Sequence, residues 1–273
     1  MRQYSATWRL LDDEAMPGAR NMAVDEAIAR AVGAGAAPPT VRLYRWQPAC
    51  LSLGYGQRAA VIDTGRLMAH GWDAVRRPTG GGAILHTDEL TYSIALPLDH
   101  PLAAGDIVSS YRTISTALVT ALNLLGAAVS QHEMTGHPEA TTVCFETPSH
   151  YEITAFSRKL VGSAQARRYN ALLQHGSLPL NGDMRRICDV LMYPNDAARE
   201  MARAQVRTRA ITLAEALGVS YVDDAQVSQA VGAGFAQLFG ADPNEHSLSP
   251  DELAAADELE VAQYGAPAWT ERR

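Results

Sequence analysis

Two side chains suited to thioester chemistry lie 15 positions apart in the middle of the sequence. Cys144 stands at the edge of a strand-like segment before a turn, and Lys159 lies on a neighbouring strand-like segment. Adjacent antiparallel segments joined through a short excursion can bring such positions face to face. A nearby ammonium group lowers the pKa of a cysteine thiol from about 8.5 and raises its thiolate fraction. Because a thiolate attacks thioesters and leaves again when an amine attacks, the pair predicts acyl transfer through Cys144.

Lys159 is also unusual in the composition of the chain. Of the 23 basic residues, 22 are arginine and only this one is lysine. A compositional bias that happened to spare one lysine would explain the count. We favour the alternative that position 159 needs an amine, because an ammonium group is compact and can give up its proton, whereas a guanidinium group cannot at useful pH.

The three cysteines are not spaced like zinc ligands, and the 8 histidines do not cluster with them, so no metal site is predicted. Taken alone, Cys144 fits a buried structural cysteine, the commonest fate of a free thiol. The lysine beside it favours the catalytic interpretation. Cys50 lies between apolar residues and is predicted to be structural. Cys188, in a predicted helix next to arginines, is a weaker rival nucleophile.

A glycine-rich segment, RRPTGGGAILH at residues 76–86, is the second candidate for ligand binding. Consecutive glycines expose backbone amides and permit positive φ angles, so the chain can wrap closely around a ligand. It is not a phosphate-binding P-loop, because no Gly-Lys-Ser/Thr follows and no long helix opens after it. A flexible hairpin tip is the alternative. The predicted substrate-binding residues here are Arg76, Arg77, Thr79, Gly80, Gly81, Gly82 and His86.

Two further segments complete the predicted site. Gly162, Ser163 and Ala164 follow the lysine, and such small residues permit the close approach of a long ligand, although a bulge or tight packing explains them equally. His175 either positions substrate or is a hydrogen-bonded core histidine, and the sequence leaves this open.

The elements that must position these residues follow from the periodicity of the chain. Strands are concentrated in the middle and helices at the ends, which favours an α+β fold on a mixed, largely antiparallel sheet. Residues 1–240 are predicted to form the catalytic domain and 241–273 a C-terminal helical extension. The predicted helices are 20–34, 59–70, 107–126, 212–217, 224–239 and 249–264; the predicted strands are two within 41–56, then 73–77, 83–86, 90–96, 143–145, 151–156, 159–167 and 172–180; and 240–248 is a predicted linker.

Composition narrows the class of protein. The 273 residues are 47% hydrophobic, enough for a sizeable core, and carry a formal net charge of -7. An acidic chain is poorly suited to general nucleic-acid binding. No apolar run approaches the roughly 20 residues of a membrane helix, and the N-terminus does not resemble a signal peptide, so a cytoplasmic protein is expected.

Seven segments together resemble the lipoate-protein ligase A, octanoyltransferase and biotin-ligase family, over residues 8–269. The segments are NMAVDEA (21–27), RLYRWQPACLSLGYGQ (42–57), RRPTGGGAILH (76–86), ELTYS (89–93), CFETPSHYEI (144–153), RKLVGSAQAR (158–167) and LQHGSLPL (173–180). The resemblance implies a class II synthetase/biotin-ligase-like catalytic domain. It is nearest to the ligase-like octanoyltransferases, whose acyl-thioester cysteine matches Cys144 and whose pKa-lowering lysine matches Lys159. ELTYS also resembles that branch.

The activity implied is transfer of octanoyl from acyl carrier protein to a lysine of a lipoyl-accepting protein, either the glycine-cleavage H protein or a dehydrogenase lipoyl domain, without a cofactor. Gly82 departs from the branch, because the nearest octanoyltransferases have arginine there and ligases have glycine. A ligase that uses ATP and Mg²⁺ therefore remains an alternative, as do a lipoyl amidotransferase and a non-catalytic carrier-binding module. Five arginines are predicted to border the site and attract acidic partners: Arg76, Arg77, Arg158, Arg167 and Arg168.

Overall fold

The computed structural model describes residues 8–133, 151–245 and 247–273. Its strands are β1 (Trp8–Met16), β2 (Thr40–Trp46), β3 (Cys50–Leu53), β4 (Asp73–Arg76), β5 (Ile84–His86), β6 (Glu89–Pro97), β7 (Ser130–Glu133), β8 (Tyr151–Ala155), β9 (Arg158–Arg168), β10 (Ala171–Pro179) and β11 (Ala241–Glu245). Its α-helices are α1 (Gly18–Gly33), α2 (Thr64–Ala69), α3 (Ile107–Leu124), α4 (Asp196–Arg209), α5 (Leu213–Leu217), α6 (Asp224–Phe239), α7 (Pro250–Leu259) and α8 (Pro267–Thr270).

Within these residues, eight strands form one mixed sheet in the order β11-β1-β2-β6-β10-β9-β8-β7. β1 runs parallel to both of its neighbours, and the other pairings are antiparallel. A smaller sheet of three strands, in the order β4-β3-β5, carries the chain into and out of the glycine-rich loop. The α+β class and the largely antiparallel mixed sheet predicted from the sequence are thus confirmed.

Both faces of the central strands are covered, and successive residues point to different cores. Val41 and Leu43 of β2 pack with α3 and α6, whereas Tyr44 packs with α1. In β6, residues Glu89 to Leu96 are all buried, so this strand is also covered on both faces. Thr91 and Ser93, which would face water on a half-exposed strand, instead join a buried polar network beneath α1. The α1 face is therefore the polar face of the sheet.

Several elements differ from the sequence-based expectation. β1, β7, α4 and α8 match none of the predicted ranges, and residues 241–245 pair with β1 as a strand where a linker was predicted. The predicted helix 59–70 is divided into a 3-10 turn at Ala59–Val61 and the helix α2. The predicted strand 143–145 and the turn after it lie outside the described residues.

The C-terminal segment packs against the first helix. Ala256, Leu259 and Tyr264 share a core with α1, and Arg9 of β1 forms a buried two-bond ion pair with Glu252, at 2.5 and 2.8 Å. A capping box between Ser249 and Glu252 begins α7. The division of the chain at residue 240 stays a prediction. None of the helices in the described part of the chain is long and apolar enough to cross a membrane.

Candidate active site

The glycine-rich loop is folded around the side chain of Arg77. This buried guanidinium donates to the carbonyl oxygens of Gly80 and Gly82, both at 2.7 Å, and to that of Ser52 at 3.0 Å. Gly81 has a φ of 95°, which favours glycine. These contacts hold the loop in one shape, which a flexible hairpin tip would lack.

Arg76, the preceding residue, is also buried but contacts different segments of the chain. It donates to the carbonyl oxygens of Gly54 (2.9 Å), Gln57 (2.6 Å) and Thr270 (2.6 Å). Both arginines thus bind the chain's own carbonyl groups, so the predicted surface role in attracting acidic partners is wrong for these two. Their contact with substrate stays a prediction.

Thr79 and His175 join the loop to the main sheet. The threonine hydroxyl lies 2.6 Å from His175 Nε2, and His175 Nδ1 lies 3.3 Å from Asp25 Oδ2. Burial lowers the pKa of His175, which favours the neutral ring. The carboxylate favours a proton on Nδ1, so Nε2 accepts from Thr79. His175 is therefore a hydrogen-bonded core histidine that holds the loop, and its contact with substrate stays a prediction.

Asp25, on α1, is the centre of the buried polar network. It accepts hydrogen bonds from Arg42 Nη1 (2.8 Å), Ser93 Oγ (2.8 Å) and the Tyr44 hydroxyl (2.9 Å). Burial raises the pKa of this carboxyl group, but the bond to His175 and the charge of Arg42 outweigh burial and lower it overall. Sequence reasoning gave Asp25 no role. Its signal was a charged residue in an alanine- and valine-rich helix.

His86 belongs to a second, adjacent network. Its Nε2 lies 2.8 Å from Ser52 Oγ and its Nδ1 lies 2.9 Å from Glu89 Oε1, and the ring stacks on Trp46 with centroids 3.9 Å apart. Ser52 also accepts from Arg77 at 3.1 Å. The glycine-rich loop, His86 and the first residue of ELTYS are thereby connected.

A narrow cavity lies between the two networks and beneath the loop. Its enclosed volume is about 20 Å³, room for about one water molecule, and the surface it exposes is nearly all apolar. Met22, Trp46 and Ile84 provide apolar walls, and the two histidines, His86 and His175, line it as well. Its apolar surface favours an aliphatic group over a charged one, but in this structure the space is smaller than an octanoyl chain.

Gly162, Ser163 and Ala164 lie on β9, the strand next to the cavity-lining strand β10. They pair with Ser177, Gly176 and His175 of β10, respectively. A Cβ atom on Gly176, which lines the cavity, would lie 2.5 Å from Ser163 Oγ and 2.5 Å from Tyr92 Cε1. The structure therefore brings the small residues, His175 and the glycine-rich loop together, and close packing accounts for the glycine at 176.

Lys159 lies near the start of the same strand. Its side chain is 4% exposed, and Nζ is 2.7 Å from Oε1 of Glu152, which is 8% exposed. Gly162 is three residues further along β9, about 10 Å in an extended strand. Cys144 lies outside the described residues, so the predicted Cys144–Lys159 pair stays a prediction.

The two cysteines in the described part of the chain are both buried. Burial, with a smaller contribution from Asp73, raises the pKa of the Cys50 thiol well above its ordinary value. Cys188 is 0% exposed in a 3-10 turn at Met184–Asp189, which makes it a poor rival nucleophile. Within the described residues, no group of three or more His, Cys, Asp or Glu side chains could hold a metal ion.

Comparison with known proteins connects this architecture to protein lipoylation. The chain is 40% identical to the octanoyltransferase LipM of Kyrpidia tusciae over 98% of its own length and 99% of that protein. It is 41% identical to the octanoyltransferase LipM of Moorella thermoacetica over 98% of both chains.

Among solved structures, it resembles a bi-partite lipoate protein ligase of Thermoplasma acidophilum, with a TM-score of 0.80, 27% identity, and coverage of 97% of this chain and 96% of that one. A lipoate-protein ligase A bound with ATP has a TM-score of 0.78 at 28% identity, covering 97% and 98% of the two chains. The family described as the lipoyl protein ligase A/B catalytic domain matches residues 17–236. The chain therefore belongs to the lipoyl protein ligase A/B catalytic domain family.

Proposed function

We propose that this chain is a protein octanoyltransferase, which moves octanoyl from the thioester of acyl carrier protein to a lysine of a lipoyl-accepting protein. The observation that carries the proposal is the buried ammonium group of Lys159 on β9, the strand that pairs with the cavity-lining strand β10. The apolar surface of the cavity would accept an aliphatic group once the side chains around it move apart. A buried amine on the neighbouring strand suits the proton transfers that a thioester exchange requires. The octanoyltransferases that align with nearly the whole chain support the same assignment.

The reaction proceeds in two balanced halves. The Cys144 thiolate attacks the thioester carbonyl, the bond to the carrier sulfur breaks, and the leaving thiolate takes a proton from Lys159. The acceptor amine then attacks the Cys144 thioester and the carbon–sulfur bond breaks. Lys159 recovers its proton from that amine, and the cysteine returns as thiolate. No nucleotide or metal enters the balance, because the thioester is already activated.

Glu152 orients the ammonium group in this scheme. A carboxylate 2.7 Å from Nζ offsets part of the cost of burying the charge. Thr79 and His175 fix the glycine-rich loop over the acyl chain, and the backbone amides of Gly80 to Gly82 are the candidate donors to the thioester oxygen.

Intact-mass measurement after mixing with octanoyl carrier protein tests the proposal. One added octanoyl group is expected on the wild-type protein and none on Cys144→Ser. If Cys144→Ser transferred octanoyl to a lipoyl-accepting protein at the wild-type rate, the covalent route would be excluded. Cys188→Ser is the matched control and is expected to acylate normally, because that thiol is buried.

An ATP-dependent ligase is the second candidate, favoured by Gly82 and by the similarity to lipoate-protein ligase A. It would form an acyl-adenylate from free octanoate or lipoate, with no need of Cys144. If the chain is a transferase, it should show no activity with free octanoate, ATP and Mg²⁺. Activity only under those conditions would establish the ligase.

A further inference from the structure

Arginines without a carboxylate partner gather beside the glycine-rich loop. Ion pairs hold many of the other arginines, such as Arg42 and Arg203. With the described carboxylates, Arg58, Arg168, Arg272 and Arg273 form none. Arg168 and Arg272 lie against one partly exposed aromatic ring, that of Tyr55; Arg58 is three positions after it in the chain, and the carbonyl oxygen of Arg273 accepts from the Ala59 amide at 2.7 Å. We call these residues the Tyr55 cluster: Tyr55, Arg58, Arg168, Arg272 and Arg273.

Two of the guanidinium groups are stacked on aromatic rings. Arg168 Cζ lies 4.2 Å from the centroid of Tyr55, and Arg272 Cζ lies 4.0 Å from the same centroid and 3.8 Å from that of Trp269. Arg272 donates to the carbonyl oxygen of Tyr55 at 3.2 Å, but its buried Nε has no acceptor among the described residues. Cation–π contact fixes the planes of these groups without supplying a negative charge.

The concentrated positive charge shifts the pKa values of neighbouring groups. A hydrogen bond from Arg168, with the charges of Arg168 and Arg272, lowers the pKa of Tyr55. Burial and the charges of Arg272 and Arg273 lower the pKa of Arg76. In a chain of net charge -7, such a cluster is a local exception. Its like charges repel one another, so an anionic partner would be bound favourably.

The cluster is directly connected to the candidate active site. The Tyr55 amide donates to the carbonyl oxygen of Thr79 at 2.7 Å, and a Cβ atom on Gly54 would lie 1.9 Å from the carbonyl oxygen of Gly81. The backbone at Gly54 and Tyr55 is therefore packed directly against the backbone of the glycine-rich loop.

Its position also separates the two partners of the reaction. Arg168 ends the strand that begins with Arg158 and Lys159, so nine residues, up to about 30 Å of extended strand, separate it from the lysine. An acceptor lysine has a short side chain and must approach Lys159 closely. A donor that docks at the Tyr55 cluster needs a long arm to reach the same place.

We propose that the Tyr55 cluster docks an acidic acyl carrier protein at the base of its phosphopantetheine arm. There the phosphodiester and the surrounding acidic side chains together present a dense negative charge. The proposal rests on the proposed octanoyltransferase function and identifies the surface through which the donor is recognised. Of the five arginines expected from the sequence to attract partners, it retains Arg168.

Replacement of Arg168 and Arg272 by glutamine, singly and together, tests the docking surface. The rate of acylation is measured with octanoyl carrier protein and with octanoyl-pantetheine, which has neither protein nor phosphate. With the carrier, we expect kcat/KM to fall about fivefold for each single variant and about twentyfold for the double variant, with a weaker dependence on ionic strength. With octanoyl-pantetheine, no loss is expected. Arg203→Gln, on α4, changes the net charge equally and should behave as wild type with both donors.

Three results would overturn the proposal. Equal losses with both donors would place the arginines in the reaction itself. Unchanged rates with the carrier would remove the docking role. A loss with octanoyl-phosphopantetheine as large as with the carrier would assign the site to the phosphate alone.

Binding of the holo-carrier by calorimetry decides the question even if the protein transfers no octanoyl group. Wild-type protein should bind at least about tenfold more tightly than the double variant, as expected for charges at an interface. Equal affinity would refute the docking surface, whereas binding without acylation would refute only the proposed function. Thermal unfolding of each variant verifies that it is folded.

Discussion

Replacing Asp25 by asparagine should be among the most damaging conservative changes in this protein. The carboxylate is fully buried, and its oxygens accept from Arg42, Tyr44 and Ser93 at 2.8–2.9 Å and lie 3.3 Å from His175 Nδ1. Asparagine has almost the same shape. It removes the negative charge facing a fully buried guanidinium, and it replaces one acceptor oxygen by a donor.

The magnitude follows from what Arg42 retains. Removing one partner of a buried ion pair costs about 3–5 kcal/mol. Arg42 keeps a bond to Asp13, whose side chain is 24% exposed, and another to the side chain of Asn21 at 2.9 Å. The lower end is therefore expected, about 3 kcal/mol. For a chain of this size that corresponds to a fall in Tm of about 6–12 °C.

Urea unfolding followed by circular dichroism, with thermal unfolding alongside, measures the loss. Asp183→Asn is the matched control, because it removes only a surface ion pair with Arg185 and should cost less than about 1 kcal/mol. The double variant Asp25→Asn with Arg42→Met should be more stable than the sum of the single changes predicts. A single Asp25→Asn variant within about 1 kcal/mol of wild type, with no coupling to Arg42, would refute this account of the network.

Three further predictions concern the site. Lys159→Arg should lose at least about a hundredfold in the rate of acyl transfer, because a guanidinium group cannot exchange its proton. It should keep more Cys144 thiolate than Lys159→Ala does, as measured by the pH dependence of Cys144 alkylation. Near-normal transfer by Lys159→Arg would show that the amine is dispensable. Gly176→Ala should lose about 1–3 kcal/mol in urea unfolding, because its Cβ would meet Ser163 and Tyr92 at 2.5 Å, whereas Gly56→Ala enters open space; equal stability of the two variants would contradict the crowding. Burial lowers the folded-state pKa of His175 below 6.5, so the contribution of His175 to stability is present above pH 6.5 and is lost as the pH falls below 6.5. Urea unfolding from pH 7.5 to 5.5 should show this loss of stability, and the loss should be smaller in His175→Gln. A wild-type stability that does not depend on pH would contradict the prediction.

The main helices and the central strands could be predicted because their patterns are local. α1, α6 and β10 lie within two residues of their predicted bounds. β1 could not be found in the same way, because DDEAM has no alternating pattern and the strand gains its place by pairing with β2. β11 has the sequence ADPNE, which is unfavourable for a strand, and it is formed by parallel pairing at the edge of the sheet. Such elements depend on tertiary partners that a sequence window does not contain.

The candidate site shows the same division. The glycine-rich loop, His86 and His175 stand out by residue type, and the structure brings them together around one cavity. Asp25 was missed as the partner of His175, because a contact between residues 150 positions apart leaves no spacing signal in a single sequence. Glu152 was missed as the partner of Lys159 although only seven positions separate them, because their pairing depends on the register of β8 and β9. The arginines at 76 and 77 were assigned to the surface, and only the structure shows their carbonyl partners.

The burial of β6 and β10 on both faces has a consequence for how the protein opens. These strands have a hydrogen-bonded neighbour on each side, and helices cover both faces, so their backbone amides should be the slowest in the chain to exchange with deuterium. His175 is in this slow-exchanging unit, and Asp25 is on the helix that covers it. Partial opening at the edges of the sheet would leave that contact intact. The polar network beneath α1 is therefore expected to break only in global unfolding, so loss of activity on heating should coincide with loss of the fold.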